Sequence, residues 1–289
     1  NKCVACGLCA EKCPVKVPDE FNYGLRTRKA IYVPHEMAVP YKYLIDAEHC
    51  LYLTKGVCRV CEKICPQHAI NFEDKSKKMT ITVDAIIVAT GYDPFDPAVL
   101  EQYGYGKYAN VIIAPQLERL VMPTGPTGGK VIRLSDGKIA RRIAFIQCVG
   151  SRDKTINRPG CSRICCMYAV KQAMILKRQD ITRDVYIFYI DLRAFGKGFE
   201  EYYMRAQEMG VQFIRGRVAE LVEDPITKNI IVRAEDTLTG RMIEMEFDLV
   251  VLSVGLVPSA GTDELAKMLK IATGPDGFFL EAHPKYRPV

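Results

Sequence analysis

Twelve cysteines, grouped in three sets of four, constrain this 289-residue chain more than any other feature of its sequence. A secreted chain with so many cysteines would ordinarily be a disulfide scaffold. The first set, however, places four thiols within eleven residues, and cysteines so close in sequence cannot easily pair with correct disulfide geometry. Metal sites group thiols in this way, so the spacing of the first set is typical of metal ligands. The sets are Cys3, Cys6, Cys9 and Cys13; Cys50, Cys58, Cys61 and Cys65; and Cys148, Cys161, Cys165 and Cys166.

The first two sets have the spacing of bacterial ferredoxins. The first reads C-x2-C-x2-C-x3-C before Pro14, and the second repeats the ending C-x2-C-x3-C before Pro66 after a longer first interval. Such a loop surrounds a [4Fe–4S] cluster with three thiolates, and Gly7 lets the backbone approach the sulfides. In these ferredoxins the fourth cysteine of each run ligates the other cluster. The rule predicts two ligand sets: Cys3, Cys6, Cys9 and Cys65 for one cluster, and Cys13, Cys50, Cys58 and Cys61 for the other.

Zinc is the alternative for these two sets, because it also takes four-cysteine sites. Two interlocked runs that both end in Cys-Pro are not a zinc-ribbon pattern, so the spacing favours iron–sulfur clusters.

The third set has the unusual spacing C-x12-C-x3-C-C. Its neighbourhood, residues 161–179, has the composition and apolar spacing of a helix, which would put Cys161 and Cys165 one turn apart on one face. Cys148 follows an expected strand over 143–147 and could approach from there. Helix N-terminal N–H groups would also favour an anionic cluster. From the residues alone, three interpretations stay open: a third cluster, small thiols packing a core, and a redox-active cysteine pair.

Composition and charge narrow the classes of function. The formal net charge is +6, but the 40 basic residues are scattered and form no stacking motif with aromatic residues, so they do not indicate nucleic-acid binding. Three [4Fe–4S] clusters of about −2 each, counted with their thiolates, would offset that charge. The longest apolar run, 249–257, is far below the ~18 residues of a membrane helix, and no signal-peptide pattern opens the chain.

The remainder of the chain has the pattern of α/β domains. Two segments echo each other, MTITVDAIIVATGYDPFDP at 79–97 and MEFDLVVLSVGLVP at 245–258: each carries a buried-strand pattern with Asp, Gly and Pro at matching positions. This predicts two related wound sheets, although two such strands can also look alike by chance. Further elements are expected as strands at 185–191 and 211–214, a helix at 199–210 and a β-rich stretch at 218–247.

The phosphate-binding fingerprint of a dinucleotide domain is missing. After the strand at 143–147 one expects G-x-G-x-x-G, but the chain reads QCVGSRD, with one glycine at Gly150 and a cysteine at Cys148. Asp191 stands where a ribose-binding acid would stand, and without the glycines it is better interpreted as a cap at the end of a strand.

Taken together, these features resemble one family, the A subunit of heterodisulfide reductase, a flavoprotein of anaerobic archaea and bacteria. The segments that carry the resemblance lie within residues 1–203 and are NKCVACGLCAEKCP, VPDEFNYGLRTRKAIY, HCLYLTKGVCRVCEKICP, IAFIQCVGSRD, CSRICCMYAVKQA and YIDLRAFGKGFEEYY.

The resemblance implies a multidomain α/β and α+β fold: thioredoxin-reductase-like doubly wound domains, one an FAD half and one a degenerate nicotinamide half, with an inserted two-cluster ferredoxin domain. It also implies a third [4Fe–4S] cluster on the CC motif. The expected domains are 1–75 (ferredoxin), 76–140 (part of the FAD domain), 141–255 (degenerate nicotinamide domain with the third cluster) and 256–289 (return to the FAD domain).

The same resemblance implies that flavin-binding segments are missing at both ends, so we expect an interior fragment that starts at Asn1 and ends at Val289. The FAD would be contacted near Ala89, Thr90 and Gly91. Glu118 and Lys171 are candidate flavin neighbours, because a lysine beside the ring would stabilise its anionic reduced form. The alternative is that both are solvated helix charges.

The expected function is electron transfer in a heterodisulfide-reductase-type complex of methanogenesis, with flavin-based electron bifurcation. Implied partners are the B and C subunits, a hydrogenase or formate dehydrogenase donor, ferredoxin and a second copy of the chain, in an anaerobic cytoplasm. Two alternatives stay open: an iron–sulfur relay without its own flavin, and an NAD(P)H-dependent oxidoreductase like the small subunit of glutamate synthase, against which the lost fingerprint argues.

Overall fold

In the computed structural model, which describes residues 2–281 and residue 283, the chain divides into two units. The first contains residues 2–86 and Met122–Gly129, and the second contains Ile87–Val121 and the described residues from Lys130 onward. The predicted segment 76–140 is therefore shared between the units. The predicted domain 256–289 and the predicted fragment ends include residues 1, 282 and 284–289, which lie outside the described residues.

The first unit is built from very short elements that frame the two ferredoxin-type cysteine runs. Two antiparallel pairs come from the long linker between the runs: β1 (Val17–Pro18) with β2 (Thr27–Arg28), and β3 (Ile31–Tyr32) with β4 (Leu44–Ile45). Its apolar side chains at Val17, Ala30 and Ile31 are buried, so the linker contributes to the core of this unit. The elements are α1 (Leu8–Glu11), β1 (Val17–Pro18), β2 (Thr27–Arg28), β3 (Ile31–Tyr32), β4 (Leu44–Ile45), α2 (Leu51–Lys55) and α3 (Val60–Ile64).

Ion pairs hold the linker hairpins in place. Arg28 bridges Glu20 at 2.6 Å and Asp46 at 2.9 Å, and only 10% of its side chain is exposed. Charge-assisted contacts of an arginine with two carboxylates are stronger than contacts between neutral groups. The linker is thus an ordered part of the unit.

The strands predicted within 79–91 are absent, which corrects the sequence analysis. None of these residues lies in a strand, and Ile81, Ile86 and Ile87 are 65–93% exposed. An apolar strand is stable only when neighbouring strands satisfy its backbone groups and other elements cover its side chains. No described strand pairs with this segment.

The second unit is an α/β structure around a five-stranded parallel sheet. From edge to edge the strands are β6 (Val111–Ile113), β13 (Leu249–Val254), β7 (Arg142–Val149), β8 (Asp184–Tyr189) and β9 (Gln212–Arg215). Its central strands are nearly continuous apolar runs, as expected for strands covered on both faces. The elements are β5 (Tyr92–Pro94), β6 (Val111–Ile113), α4 (Ala114–Val121), β7 (Arg142–Val149), α5 (Cys165–Gln179), β8 (Asp184–Tyr189), α6 (Phe199–Glu208), β9 (Gln212–Arg215), β10 (Val218–Glu223), β11 (Ile230–Asp236), β12 (Arg241–Phe247), β13 (Leu249–Val254), β14 (Leu256–Pro258) and α7 (Thr262–Leu269).

Three observations relate this unit to the sequence pattern. The β-rich stretch forms an antiparallel sheet in the order β10-β11-β12, and the core is continuous from it to the parallel sheet through Phe188 and Phe247. The two echo segments do meet, because β5 pairs with β14 in antiparallel register. The strands and helix expected at 185–191, 199–210 and 211–214 are present within one or two residues of those bounds.

The helix expected at 161–179 begins only at Cys165, which is a second correction. Arg163 adopts a left-handed backbone, with φ of 65°, and this interrupts any helix through the preceding residues. Cys161 therefore lies in a loop and not one helical turn from Cys165.

No described helix is both long and apolar enough to cross a membrane.

Candidate metal centres

The structure brings together four cysteines from both ferredoxin-type runs around a first cavity. Three come from the loop before and within α1, and the fourth comes from the end of the second run. Tyr43, Leu44 and Ile45 of the linker complete the wall. These cysteines, called centre 1, are Cys3, Cys6, Cys9 and Cys65.

Backbone N–H groups point at two sulfurs of centre 1. The N–H of Ala5 donates to Cys3 Sγ at 3.4 Å, and the N–H of Ala69 donates to Cys65 Sγ at 3.4 Å. A further backbone N–H, from Tyr43, is the main cause that lowers the pKa of Cys3. Donors of this kind stabilise thiolates, and around an iron–sulfur cluster they tune its reduction potential.

Gly7 shapes the loop of centre 1. It has a φ of 86° and forms the N-cap of α1, and a Cβ atom there would lie 3.3 Å from the Tyr43 hydroxyl. A side chain at this position would be strained and crowded, so the glycine lets the loop close around the cavity.

A second cavity collects the other four cysteines of the two runs. Its remaining wall is apolar and includes Ile31, Val60 and Phe72. Burial raises the pKa of Cys61 to about 11, so this thiol is protonated at neutral pH in the ligand-free chain, and ligation of iron would release a proton. These cysteines, called centre 2, are Cys13, Cys50, Cys58 and Cys61.

Each of the two cavities is lined by cysteines from both runs. Cys13 closes the first run in sequence but lines centre 2, whereas Cys65 closes the second run but lines centre 1. Four thiols around each cavity fit the donor set of a [4Fe–4S] cluster. Within residues 2–281 and 283, no three His, Cys, Asp or Glu side chains are arranged to hold a single metal ion.

Three of the four cysteines of the third set meet at the carboxyl end of β7 and the first turn of α5. Cys148, Cys165 and Cys166 are at most 7% exposed. The Cys165 thiol is hydrogen-bonded to both neighbours. Hydrogen bonding with Cys165 is the main cause that lowers the pKa of Cys148, and it is also the main cause that lowers the pKa of Cys166 to about 6. The same hydrogen bonds raise the pKa of Cys165. We call these three residues centre 3.

Cys161, the fourth member of the set, lies on the loop before α5. Its Sγ accepts a hydrogen bond from the N–H of Arg163 at 3.3 Å, and it lines a separate cavity with Arg193 and Phe195.

A strained turn follows Cys148. Cys148, Gly150 and Arg152 have φ values of 63°, 73° and 55°, and left-handed backbone costs non-glycine residues about 1–3 kcal/mol each. The turn is held by hydrogen bonds from the N–H of Ser151 to Cys148 O (3.2 Å) and from the N–H of Arg152 to Gly160 O (2.8 Å). Such strain persists only where the surroundings impose it, and it concentrates at functional sites.

Residues in this turn and on the strands beside it carry buried polar atoms without a hydrogen-bond partner among the described residues. These are both amide atoms of Gln147, the hydroxyl of Ser151 and Nη1 of Arg152, and the hydroxyl of Ser253 on the adjacent β13 joins them. Each buried unsatisfied group costs about 1–3 kcal/mol, so their concentration beside centre 3 fits a site completed by a bound group.

The candidate flavin residues occupy two different settings. Ala89, Thr90 and Gly91 lie in the segment without strand structure and are exposed. Glu118 on α4 and Lys171 on α5 form an ion pair of 2.7 Å, and Gln172 Nε2 donates to the same Glu118 oxygen at 2.9 Å. The two charges are therefore partners of each other, and their role toward a flavin stays a prediction.

Arg152 is a residue of this site that the sequence analysis did not single out. It reaches across 39 residues to Asp191, with Arg152 Nη2 at 2.7 Å from Asp191 Oδ2, and it lowers the pKa of Cys148 as a lesser cause. The tetrapeptide Gly-Ser-Arg-Asp, which follows Cys148 after one residue, was the signal within the sequence, but only the left-handed turn shows that the arginine folds back on the cysteine.

The whole chain is similar to one group of curated proteins. It is 55% identical to the iron–sulfur A subunit of the CoB–CoM heterodisulfide reductase of Methanocaldococcus jannaschii, with 100% of this chain and 43% of that protein aligned. It is 54% identical to the A subunit of the H2/formate:CoB–CoM heterodisulfide,ferredoxin reductase of Methanococcus maripaludis, again over 100% of this chain and 43% of that protein. The chain thus spans less than half the length of these relatives. No family model matches it.

Solved structures show a more distant likeness. A thioredoxin reductase from T. acidophilum aligns with 69% of this chain and 52% of its own, at 16% identity and a TM-score of 0.39. An L-lysine 6-monooxygenase from Pseudomonas syringae aligns with 67% of this chain and 51% of its own, at 12% identity and a TM-score of 0.40.

Proposed function

The chain belongs to the family of heterodisulfide reductase A subunits, and from that premise we propose that it is an electron-transferring segment of an FAD-dependent oxidoreductase. It would carry three [4Fe–4S] clusters and contribute to binding one FAD. The observation that carries the proposal is the interlocked pair of four-cysteine centres, with one thiol exchanged between the runs.

The chain's own residues would supply three things to the clusters. Thiolates of centres 1 and 2 would hold the irons, backbone N–H groups such as that of Ala5 would donate to the sulfurs, and the apolar wall of centre 2 would limit access of water. Bound there, such clusters supply one-electron chemistry at potentials set by these contacts. The short helices and hairpins of the first unit would fix the geometry, so that electron transfer needs little reorganisation.

At centre 3 we propose that Cys161 completes the donor set from its loop. Three thiols already meet there, and the unsatisfied polar atoms of Gln147, Ser151 and Arg152 support a bound group. Centre 3 would exchange electrons between the flavin and a partner protein.

The names of the relatives support a proposal for the partners and the reaction. The relative from Methanococcus maripaludis is named for hydrogen or formate, the CoB–CoM heterodisulfide and ferredoxin. We propose that this chain acts in the same kind of complex, with B and C subunits, a hydrogenase or formate dehydrogenase donor, ferredoxin and a second copy of itself. Electron bifurcation from the flavin would send one electron to ferredoxin and one toward the disulfide-reducing subunits. Because thiols must stay reduced to bind iron, we propose that the protein works in the reducing cytoplasm of an anaerobe.

The exchange of cysteines between runs gives a sharp test in the full-length chain. A Cys6→Ala, Cys65→Ala double variant removes two ligands of one centre and should lose about four irons per chain. The matched double variant Cys61→Ala, Cys65→Ala has both changes in one run but in two centres, and it should lose about eight. Equal losses, measured by iron and sulfide analysis after anaerobic purification, would contradict the assignment.

A second candidate is an iron–sulfur relay without its own flavin. One observation favours it: Ala89, Thr90 and Gly91 are exposed and outside any strand, so they form no flavin pocket by themselves. The flavin count of the same preparation decides between the two, because one FAD per full-length chain fits the first proposal and none fits the relay.

A further inference from the structure

Arg152 links centre 3 to the carboxyl end of β8. Its Nη2 is 2.7 Å from Asp191 Oδ2, and the Cys166 thiol donates to the main-chain oxygen of the same Asp191 at 3.7 Å. Asp191 therefore contacts both the arginine and a cysteine of the centre. The side chain of Arg152 is 21% exposed, so water screens its charge only in part.

The other end of the guanidinium lacks an acceptor among the described residues. Nη1 of Arg152 is buried and makes no hydrogen bond, and Cys148 lies at the start of the left-handed turn that ends at Arg152. A thiol is a weak acceptor, but a thiolate is a strong one. The unsatisfied N–H would gain a full partner once Cys148 is ionised by a metal centre.

The local backbone is built to keep Arg152 in this position. Arg152 is four residues after Cys148, at the end of the left-handed turn, and its own N–H is bound to Gly160 O. Gly150, between them, packs under Phe95, where a Cβ atom would come within 2.1 Å of the ring. The turn therefore has little freedom to move the arginine away from the cysteine.

We propose that Arg152 is a positioning and potential-setting residue of centre 3: held by Asp191, it donates to the Cys148 sulfur and places a positive charge beside the centre. This inference rests on the proposal that centre 3 binds a [4Fe–4S] cluster. Because the cluster gains a negative charge when it is reduced, a fixed cation and an N–H donor stabilise the reduced form and raise the potential.

Neighbouring arginines are held differently. Arg217 pairs with Asp153, and Arg215 Nη2 is 3.9 Å from Asp191 Oδ1 with 47% of its side chain exposed. The backbone N–H of Arg193 and the charge of its side chain both contribute to lowering the pKa of Cys166. Arg215 is therefore the matched control, since it has the same charge and the same carboxylate neighbour but does not lie on the turn that carries Cys148.

The test is a potentiometric titration of the full-length chain, followed by electron paramagnetic resonance. The signal of centre 3 is identified as the one that Cys165→Ala removes. Arg152→Gln should shift its reduction equilibrium about tenfold toward the oxidised form, which is 59 mV for one electron. Arg152→Lys keeps the charge and should shift it less, and Arg215→Gln should leave it unchanged.

A second measurement covers the case in which Arg152→Gln fails to assemble the cluster. Wild-type protein with arginine labelled by 15N only in its guanidinium group should show a 15N hyperfine coupling at the reduced centre 3, and Arg152→Lys should lose it. Labelling the guanidinium alone excludes the backbone N–H groups of Arg163 and Arg193, which contact Cys161 and Cys166. Absence of this coupling in wild-type protein, or equal shifts for Arg152→Gln and Arg215→Gln, would overturn the inference. If Cys165→Ala loses no iron, the third cluster itself fails, which is a different result.

Discussion

At the residue scale, two glycines follow the carboxyl ends of β7 and β13 at positions where neighbouring atoms leave no room for a side chain. A Cβ atom on Gly150 would collide with the Phe95 ring, and one on Gly255 would lie 2.7 Å from Ser162 Oγ and 3.0 Å from Gly150 O. The single glycine that remained where a dinucleotide fingerprint was expected is thus required by packing. It does not create a phosphate cradle.

Gly150→Ala should destabilise the chain more than an ordinary glycine substitution. Gly137 is the matched control, because it has the same φ of 73° but nothing within 4 Å of a Cβ atom. We expect about 1–2 kcal/mol for Gly137→Ala, from the left-handed backbone alone. Overpacking against Phe95 should add about 1–3 kcal/mol for Gly150→Ala. Anaerobic denaturant unfolding measures both, and equal losses would show that Phe95 moves aside without cost.

Cys165 is central to the third set, because its thiol contacts both Cys148 and Cys166. Replacement by Ala should remove about four irons from the full-length chain and leave flavin binding largely unchanged. Ala169 lies one turn further along α5 and is fully buried, so Ala169→Ser is a control for a small change in the same helix. An unchanged iron content in Cys165→Ala would refute the assignment of centre 3.

At the element scale, the start of α5 decides what the third set can do. Because the helix begins at Cys165 and not at Cys161, two adjacent thiols occupy its first turn, where free backbone N–H groups favour negative charge. The loop that leads to it carries Cys161 separately. The same helix places Lys171 against Glu118 of α4, so the packing of α4 and α5 determines the setting of both candidate flavin residues.

Substitutions in this ion pair should separate a structural role from a flavin role. The Lys171 and Glu118 side chains are 46% and 33% exposed, so Lys171→Met should cost at most about 1 kcal/mol of stability. If Lys171 also stabilises reduced flavin, the variant should lower the flavin midpoint potential. Lys267→Met is the control, because Lys267 on α7 is exposed. Lys177 is unsuitable, because its ammonium group donates to two backbone carbonyls. A flavin potential that stays at the wild-type value in Lys171→Met would leave only the structural role.

At the scale of the whole molecule, the described chain contains a cysteine-lined unit and an α/β unit that lacks the G-x-G-x-x-G sequence after β7. Asp191 has the position of a ribose-binding acid, but it is bound to Arg152. The loop after β7, where phosphates are bound in dinucleotide folds, leads instead to the thiols of centre 3. Both changes favour electron transfer through metal centres over hydride transfer from a nicotinamide.

The full-length protein should therefore not be reduced by NADPH at a catalytic rate, whereas dithionite should reduce its metal centres. Anaerobic spectrophotometry at the flavin and cluster bands measures both reactions. Rapid bleaching of the flavin by NADPH would favour the alternative of a glutamate-synthase-like oxidoreductase.

The sequence by itself determined the features that depend on spacing and local periodicity. It predicted the grouping of eight cysteines, because ligand spacing within a short loop dictates which thiols can surround one cavity. It also predicted several strands and a helix of the second unit within one or two residues, because strand and helix periodicities are local properties.

Only the tertiary structure decided what depends on partners distant in the chain. The segment 79–91 has a strand-like pattern but no described neighbour to pair with, and the start of α5 depends on a left-handed residue, Arg163, that no periodicity reveals. The contact of Arg152 with Asp191 requires β7 and β8 to lie side by side in the sheet. Spacing along the chain determines which groups can be neighbours within a loop. A contact between residues 39 positions apart, such as that of Arg152 with Asp191, forms only once the strands have paired.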